Sequence, residues 1–550
     1  MDCAIPHSRM NKVLAAVSIG IAAFGATTGH AADSASVQQQ LTELQQAVAA
    51  QKAQLEAQQK LLERQAALIE QLSKQAGTRT TTAESAGAAV SAVRQSVEQQ
   101  KPTAPESARV SMNQGRPTIT SADGEASISL RSVVQLDMAL HDQAPEGPLD
   151  FRRGSVGGTG NRETSAARDL SNGAYFRRAR LGVEGKVARD FDYRFIMELG
   201  GAGAEGPTRV TDAWIGYTGF APFRIQLGAF APPANMDDQT SVEDLVFLER
   251  ATPADLSRAL AGAAGRIGLG VRGNGARWTS ALTLTTRTFS NVEVFDSQLA
   301  AVGRFTVLAA TSDSHNVHVG ASGTWVFQPA DQGSSATGAR YAIRFRDRPE
   351  VRVDSTRFID TGNIDADSAY AAAVELGANW KNLYLQAENF WYGLDRREPT
   401  SLADPSFGAW YIQGSWVLTG ERRRYNRTTG SFQRPRPRVP FTSGGGHGAW
   451  ELALRYSHAD LDFREGLAGT AAAVDGVRGG VQNNWTVGLN WYPHPNLSFM
   501  LDYIRVDVDR LNPAGPGNLT PFGAAPGTPP IGVQIGQDLH VYALRSQFSL

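Results

Sequence analysis

The sequence predicts an all-β transmembrane barrel of sixteen antiparallel strands, preceded by an N-terminal α-helical coiled-coil segment. Three observations carry this. From residue 126 onward, apolar and polar residues alternate with period two in many separate segments. The connections between those segments alternate short and long. No stretch beyond the N-terminus is apolar for eighteen residues, and only helices or closed barrels satisfy their own backbone in lipid, so a membrane crossing here must be a barrel.

The chain opens as a secretory signal over 1–32. Arg9 and Lys12 form a basic start, 13–24 is a short apolar core, and Gly29, His30 and Ala31 place small residues at a cleavage point. The apolar run is too short to span a bilayer. Cys3, the single cysteine, lies in this segment, so the mature chain has neither a disulfide framework nor a thiolate site. Residues 33–76 follow as a periplasmic coiled coil. Leu41, Leu44, Val48, Gln51, Leu55, Gln58, Leu62, Gln65, Ile69 and Leu72 step by three and four residues. The segment 77–125 is rich in Ala, Thr, Ser and Gly, carries Pro102, Pro105 and Pro117, and reads as a linker.

The barrel is expected over 126–550. Ile128, Leu130, Val134, Leu136 and Met138 alternate with Ser129, Arg131, Gln135 and Asp137. Ala179, Leu181 and Val183 alternate with Arg178, Arg180, Glu184 and Lys186. The pattern returns around Arg194, around Trp450 to Tyr456 and around Trp485 to Trp491, and it ends on the final residue. Alternation alone also fits a soluble sandwich. The barrel is favoured by Arg and Glu facing one another on the polar side, by Trp and Tyr near strand ends, and by the loop lengths. Short turns are expected near 188–191, 219–222, 274–276, 310–314, 379–381 and 493–496. Long connections are expected near 139–175, 231–265, 328–368, 393–407, 461–481 and 510–536, with smaller ones at 201–208 and 289–302. Only 419–447 breaks the rule, being long on the short-turn side. A barrel of this size leaves an aqueous channel.

Charge refines the picture. The 550 residues carry a formal net charge of −1, so no global field argues for nucleic acid. Yet 46 of the 53 basic residues are arginine, and only Lys186 and Lys381 lie beyond residue 120. Arginine is permanently charged and grips oxyanions through a planar fork.

Several segments together resemble the phosphate-selective porin O and P family. They are Tyr175-Phe176-Arg177-Arg178-Ala179-Arg180-Leu181-Gly182, Thr211-Asp212-Ala213-Trp214-Ile215-Gly216-Tyr217, Phe230-Ala231-Pro232-Pro233 leading to Leu248-Glu249-Arg250, Asp360-Thr361-Gly362-Asn363, Leu418-Thr419-Gly420-Glu421-Arg422 and Gly448-Ala449-Trp450-Glu451. The resemblance covers about 126–550. It implies a homotrimer of sixteen-stranded barrels in the outer membrane of a Gram-negative bacterium, passing anions such as phosphate or polyphosphate. It also implies that the third and fifth outer loops and one periplasmic turn fold into the lumen. Phosphate-specific members place lysines at the central binding site, whereas this barrel has only Lys186 and Lys381, and neither lies in the expected constriction loops.

The expected pore-lining, anion-binding residues are therefore Arg131, Arg178, Arg180, Lys186, Arg194, Arg266, Arg272 and Arg455 on the strands, Arg344, Arg346 and Arg348 in 328–368, and Arg422, Arg423, Arg424 and Arg436 in 419–447. Rings of such cations are how pores select anions. The bland reading is that these arginines pair with Glu184, Glu198 and Asp137 and only keep the wall wet. The connection 231–265 is acidic, with Asp237, Asp238, Glu243, Asp244, Glu249 and Asp255 against Arg250 and Arg258. Two rival readings follow: a non-selective porin in which these acids offset the arginines, and an envelope tether that contacts cell wall or periplasmic partners through the coiled coil. No cofactor, metal or enzyme activity is expected. Gly201-Ala202-Gly203-Ala204-Glu205-Gly206 lacks the following helix that a nucleotide site needs, the nine histidines are scattered, and no Gly-x-Ser-x-Gly elbow occurs.

Overall fold

The computed structural model describes residues 108–113, 115–143, 170–200, 208–289, 295–333, 339–397, 401–514 and 531–550. The expected signal segment, the coiled coil and the first part of the linker lie outside the described residues. The strands are β1 (Arg109–Asn113), β2 (Arg116–Thr120), β3 (Ser127–Gln143), β4 (Gly173–Val187), β5 (Phe191–Glu198), β6 (Arg209–Tyr217), β7 (Phe223–Phe230), β8 (Arg266–Asn274) and β9 (Trp278–Thr288). They continue as β10 (Leu299–Thr311), β11 (His315–Gln328), β12 (Ala342–Ile343), β13 (Arg346–Asp347), β14 (Ile359–Asp360), β15 (Ile364–Trp380), β16 (Leu383–Arg396) and β17 (Ser406–Val417). The last are β18 (Arg424–Asn426), β19 (Ser431–Gln433), β20 (Ala449–Phe463), β21 (Val477–His494), β22 (Leu497–Asp509) and β23 (Leu539–Ser549). Two helices, α1 (Met236–Gln239) and α2 (Thr252–Ala261), interrupt the connection between β7 and β8.

Sixteen of these strands close on themselves, as expected. β3 to β11 pair antiparallel in chain order, β11 pairs with β15, β17 pairs with β20, and β23 returns to β3 with Leu544 opposite Met138. Short turns and long connections fall where the sequence places them. The small strands β12 to β14 lie in the long connection 329–363, and the hairpin β18–β19 lies in the exceptional turn 418–448.

Side-chain exposure separates barrel from sandwich. Leu282 and Leu284 on β9 are 60 % and 54 % exposed, while Thr283 between them is fully buried. On β20, Leu452 and Leu454 face out while Glu451, Ala453 and Arg455 are buried. Apolar side chains outside and polar ones inside is the pattern of a lipid-facing barrel. At the short-turn ends, Trp278 begins β9, Trp380 ends β15, and Trp450 and Trp491 stack across β20 and β21 at 5.5 Å. Indoles at that level suit the polar boundary of a bilayer. Among the described residues no helix is long and apolar enough to cross a membrane.

One segment differs from the sequence reading. Residues 109–120, expected to be linker, form the hairpin β1–β2, and β2 joins β3 with Thr118 opposite Ser129. The reason lies at the barrel seam. β23 runs out at Ser549 opposite Val133, which leaves the first residues of β3 with an open edge on that side. β2 covers part of it and satisfies backbone groups that would otherwise be unpaired.

The lumen is filled from both ends, as the resemblance implied. α2 packs on β11, β16 and β20. The inner face of β15 is small there (Ala366, Ala369, Ala371, Ala373), and with Leu256, Leu260, Phe345 and Phe358 it forms one apolar cluster. A second cluster joins Met236 of α1, Phe247 and Phe432 of β19 on Tyr384 and Ala453. Gly377 makes room for it, because a Cβ there would fall 2.7 Å from the Phe432 ring.

Candidate anion passage

Carboxylates of its neighbours, and its own Glu249, anchor the acidic connection 231–265. Asn235 caps α1 by accepting from the Asp238 N–H at 2.7 Å. Glu388 of β16 accepts from the Met236 and Asp237 N–H groups at 3.0 and 2.9 Å, a carboxylate at the positive end of the helix. Glu350 does the same for Thr252 at the start of α2 and also takes Arg455. Glu249 gathers four guanidiniums: Arg177 at 2.6 Å, Arg545 at 3.0 Å, Arg352 at 3.3 Å and Arg178 at 3.9 Å. Arg545 is also bidentate to Asp137 at 2.6 and 2.7 Å. These are buried, mutually satisfied charges, and each partner would be costly to leave alone.

The turn 418–448 is held the same way. Arg423 is bidentate to Glu451 at 2.7 and 2.8 Å, fully buried, and also reaches the Asp244 carbonyl. Arg304 of β10 donates to the carbonyls of Thr429 and Gly430 at the hairpin tip, both at 2.7 Å, while holding Glu375 at 2.8 Å.

What remains open is a cavity of about 640 Å³ between the inner wall of β3 to β8, the connection 231–265 and the hairpin tip. Eight arginines line it against five carboxylates. Each of the five has an arginine within 4 Å: Asp192 with Arg224 at 2.8 Å, Asp212 with Arg194 at 3.9 Å, Asp238 with Arg258 at 2.6 Å, Glu243 with Arg116 at 3.3 Å, and Asp244 with Arg434 at 3.9 Å. Glu184 and Glu198, on the same face as their cross-strand partners, take Arg194 at 2.7 Å and Arg180 at 2.8 Å. Two arginines of the cavity have no carboxylate within that distance among the described residues. Arg250 is consumed by the carbonyls of Asp237, Asp238 and Thr240. Arg272 donates to the Ala231 carbonyl at 2.7 Å and rests on the Phe230 ring at 5.5 Å, and its Nε has no partner. A small second cavity, about 40 Å³, continues toward the short-turn side past Arg116, Arg424, Arg434 and Arg436 to the C-terminal Leu550.

Of the residues singled out in sequence, Arg131, Arg180, Arg194 and Arg272 line the larger cavity, and Arg424 and Arg436 the smaller. Arg178, Arg348, Arg423 and Arg455 are buried against the inserted segments instead. Arg266 is spent on the carbonyls of Gly262 and Thr286. Arg344 pairs with Asp360, and Arg422 donates to the Asp313 carbonyl at the short-turn rim. Lys186 is exposed beside the turn 188–190, and Arg346 is exposed in 329–363. Arg116 and Arg224 were not singled out, and Arg250, Arg258 and Trp214 were named but not as pore-lining. Arg224 was readable, since Arg224 and Gln226 alternate with Phe223, Ile225 and Leu227. Arg116 was hidden in the apparent linker. Among the described residues no group of three or more His, Asp or Glu side chains could hold a metal ion.

One loop carboxyl is tuned. Burial, reinforced by Glu243, pushes Asp244 up to about 6 against the opposing pull of Arg434 and Arg423. With the folded-state value raised, this group favours the fold at low pH, and that contribution fades as pH rises through about 6. Asp244 touches both cavities. Lowering pH from 7.5 to 5 therefore removes a negative charge from the passage. Chloride-over-potassium preference should rise through that window, and Asp244→Asn should flatten the rise; an unchanged pH profile in the variant would assign it elsewhere.

Fold and cavity define an outer-membrane β-barrel channel. Residues 159–518 match the phosphate-selective porin O and P family, and the chain belongs to it. It is 27 % identical over 416 residues to an uncharacterized protein of Caulobacter vibrioides, covering 74 % of this chain and 73 % of that one. It is 23 % identical over 370 residues to Porin O of Pseudomonas aeruginosa, covering 62 % and 78 %. Among solved structures, an anion-selective porin from Comamonas acidovorans aligns over 78 % of this chain and 100 % of its own, at 10 % identity and a TM-score of 0.42. The channel DcaP of Acinetobacter baumannii aligns over 77 % and 97 %, at 12 % identity and 0.40.

Proposed function

We propose that this chain is a passive channel for small anions, working as a trimer as the family resemblance implies. The observation that supports it is the pairing balance of the passage. Every carboxylate facing the larger cavity has an arginine within 4 Å, while Arg272 there and Arg424 and Arg436 below have no carboxylate so placed among the described residues. The acids of 231–265 that face the cavity, Asp238, Glu243 and Asp244, each have an arginine partner, which counts against a non-selective pore. An entering anion meets guanidiniums that outnumber the carboxylates beside them, eight to five. It trades part of its water for N–H donors at Arg272 and leaves past Arg424 and Arg436. Proteoliposomes carrying the purified chain and loaded with chloride should exchange it for external nitrate faster than potassium exchanges for rubidium. Faster cation exchange would refute the reading.

A further inference from the structure

The wall of the larger cavity is not only charged. Trp214 on β6 faces it, partly exposed, with the Arg194 and Arg224 guanidiniums over its ring at 5.4 and 4.9 Å from the centroid. The residue opposite Trp214 on β7 is Gly228, which presents no side chain beside the indole. That glycine is fixed by the backbone: φ is +130°, and a Cβ would fall 2.3 Å from the Ala213 carbonyl oxygen. Arg224 stands directly opposite Arg272 across β7 and β8. Like charges so placed repel. Arg224 is relieved by Asp192 at 2.8 Å, whereas Arg272 has no carboxylate within 4 Å among the described residues. Three neighbouring strands thus contribute, in succession, a partly exposed indole, a neutralised arginine that reaches over it and an uncompensated arginine.

We propose that these three side chains form a subsite for organic monoanions with a flat apolar body, such as aromatic monocarboxylates, in preference to inorganic phosphate. The inference rests on the anion-channel reading and narrows it. One uncompensated guanidinium matches one carboxylate. A multiply charged, strongly hydrated phosphate gains little where the other wall arginines already hold carboxylates. The indole offers a π-surface to an aromatic ring, and the arginines over it add a second planar surface.

The test uses the full-length channel in a planar bilayer carrying chloride current, with benzoate, acetate and inorganic phosphate as blockers. Benzoate should reach half-block at a concentration about tenfold below acetate, the size of one good aromatic contact, and also below phosphate. Trp214→Ala should collapse the benzoate-to-acetate ratio toward one, and Trp214→Phe should retain most of it. Phosphate blocking at lower concentration than benzoate would overturn the subsite, as would a ratio unchanged in Trp214→Ala. Heat-dependent gel mobility of each variant checks that the barrel is intact; if Trp214→Ala fails to assemble, the Phe variant and the wild-type blocker order still decide. Failure of the channel reading itself would appear differently, as potassium selectivity before any blocker is added.

Discussion

Replacing Glu249 by alanine is expected to loosen the inserted connection 231–265 and weaken the whole barrel. The carboxylate is 3 % exposed and faces Arg177, Arg178, Arg352 and Arg545, three of which are on the wall strands β4 and β23. Removing it leaves buried cations without their shared counter-charge, a loss of about 3–5 kcal/mol. Arg545 keeps Asp137, so the barrel seam persists. Arg177 has no other acid within 4 Å among the described residues, so the contact between β4 and the loop fails first. The variant should lose heat-resistant gel mobility at a lower temperature than wild type and show larger, noisier single-channel steps. Its anion preference should not fall, since a negative charge has left the lumen. Adding Arg177→Gln should recover part of the stability, because it removes the most closely paired orphan. Wild-type melting and step size in Glu249→Ala would mean that the loop is held by its other contacts, the apolar clusters and the Glu388, Glu350 and Arg423 bonds.

Reversing Arg272 to glutamate should have the largest effect on selectivity. The change moves two charge units at the passage wall. Even with the dielectric of bulk water, two units at ~6 Å amount to about 1.4 kcal/mol on a transiting monovalent ion, roughly tenfold. The permeability ratio of chloride to potassium should fall by at least that factor. Arg266→Glu, which moves the same two charge units, is the matched control. Arg266 lies at the start of the same strand but donates to the Gly262 and Thr286 carbonyls outside the cavity. Its loss should lower thermal stability and leave the ratio near wild type. Equal effects of the two variants would show that selectivity reflects the summed charge of the wall.

The contrast between Arg272 and Arg266 marks what the sequence could convey. Period-two alternation is a local property, so strands such as β20 and β21 were legible, and with them the count, the turns and the long connections. The turn 418–448 was legible as an exception because its length violates the rule of its side. Which arginine faces the passage is not local. Arg178 and Arg180 share one face in sequence, yet Arg178 meets Gln135 and Glu249, while Arg180 lines the cavity. The difference is made by a loop some seventy residues away, as the Arg177–Glu249 separation of 72 shows. Arg177 itself was hidden by a bulge. Gln135 pairs with Arg178 while Leu136 pairs with Phe176, so the extra residue turns inward against the alternation. The hairpin β1–β2 was missed for another reason: Pro102, Pro105 and Pro117 gave its surroundings the composition of a linker, although Val110, Met112 and Ile119 alternate with polar neighbours around the turn at Gly115.

The central claim is that the acids of 231–265 facing the cavity are each paired with an arginine and leave an arginine passage open to anions. Its most direct test is the zero-current potential of the purified wild-type channel across a tenfold KCl gradient at pH 7. The account predicts a potential of the sign set by chloride permeating faster than potassium. A potential of the opposite sign would contradict it and return control of the passage to Asp238, Glu243 and Asp244.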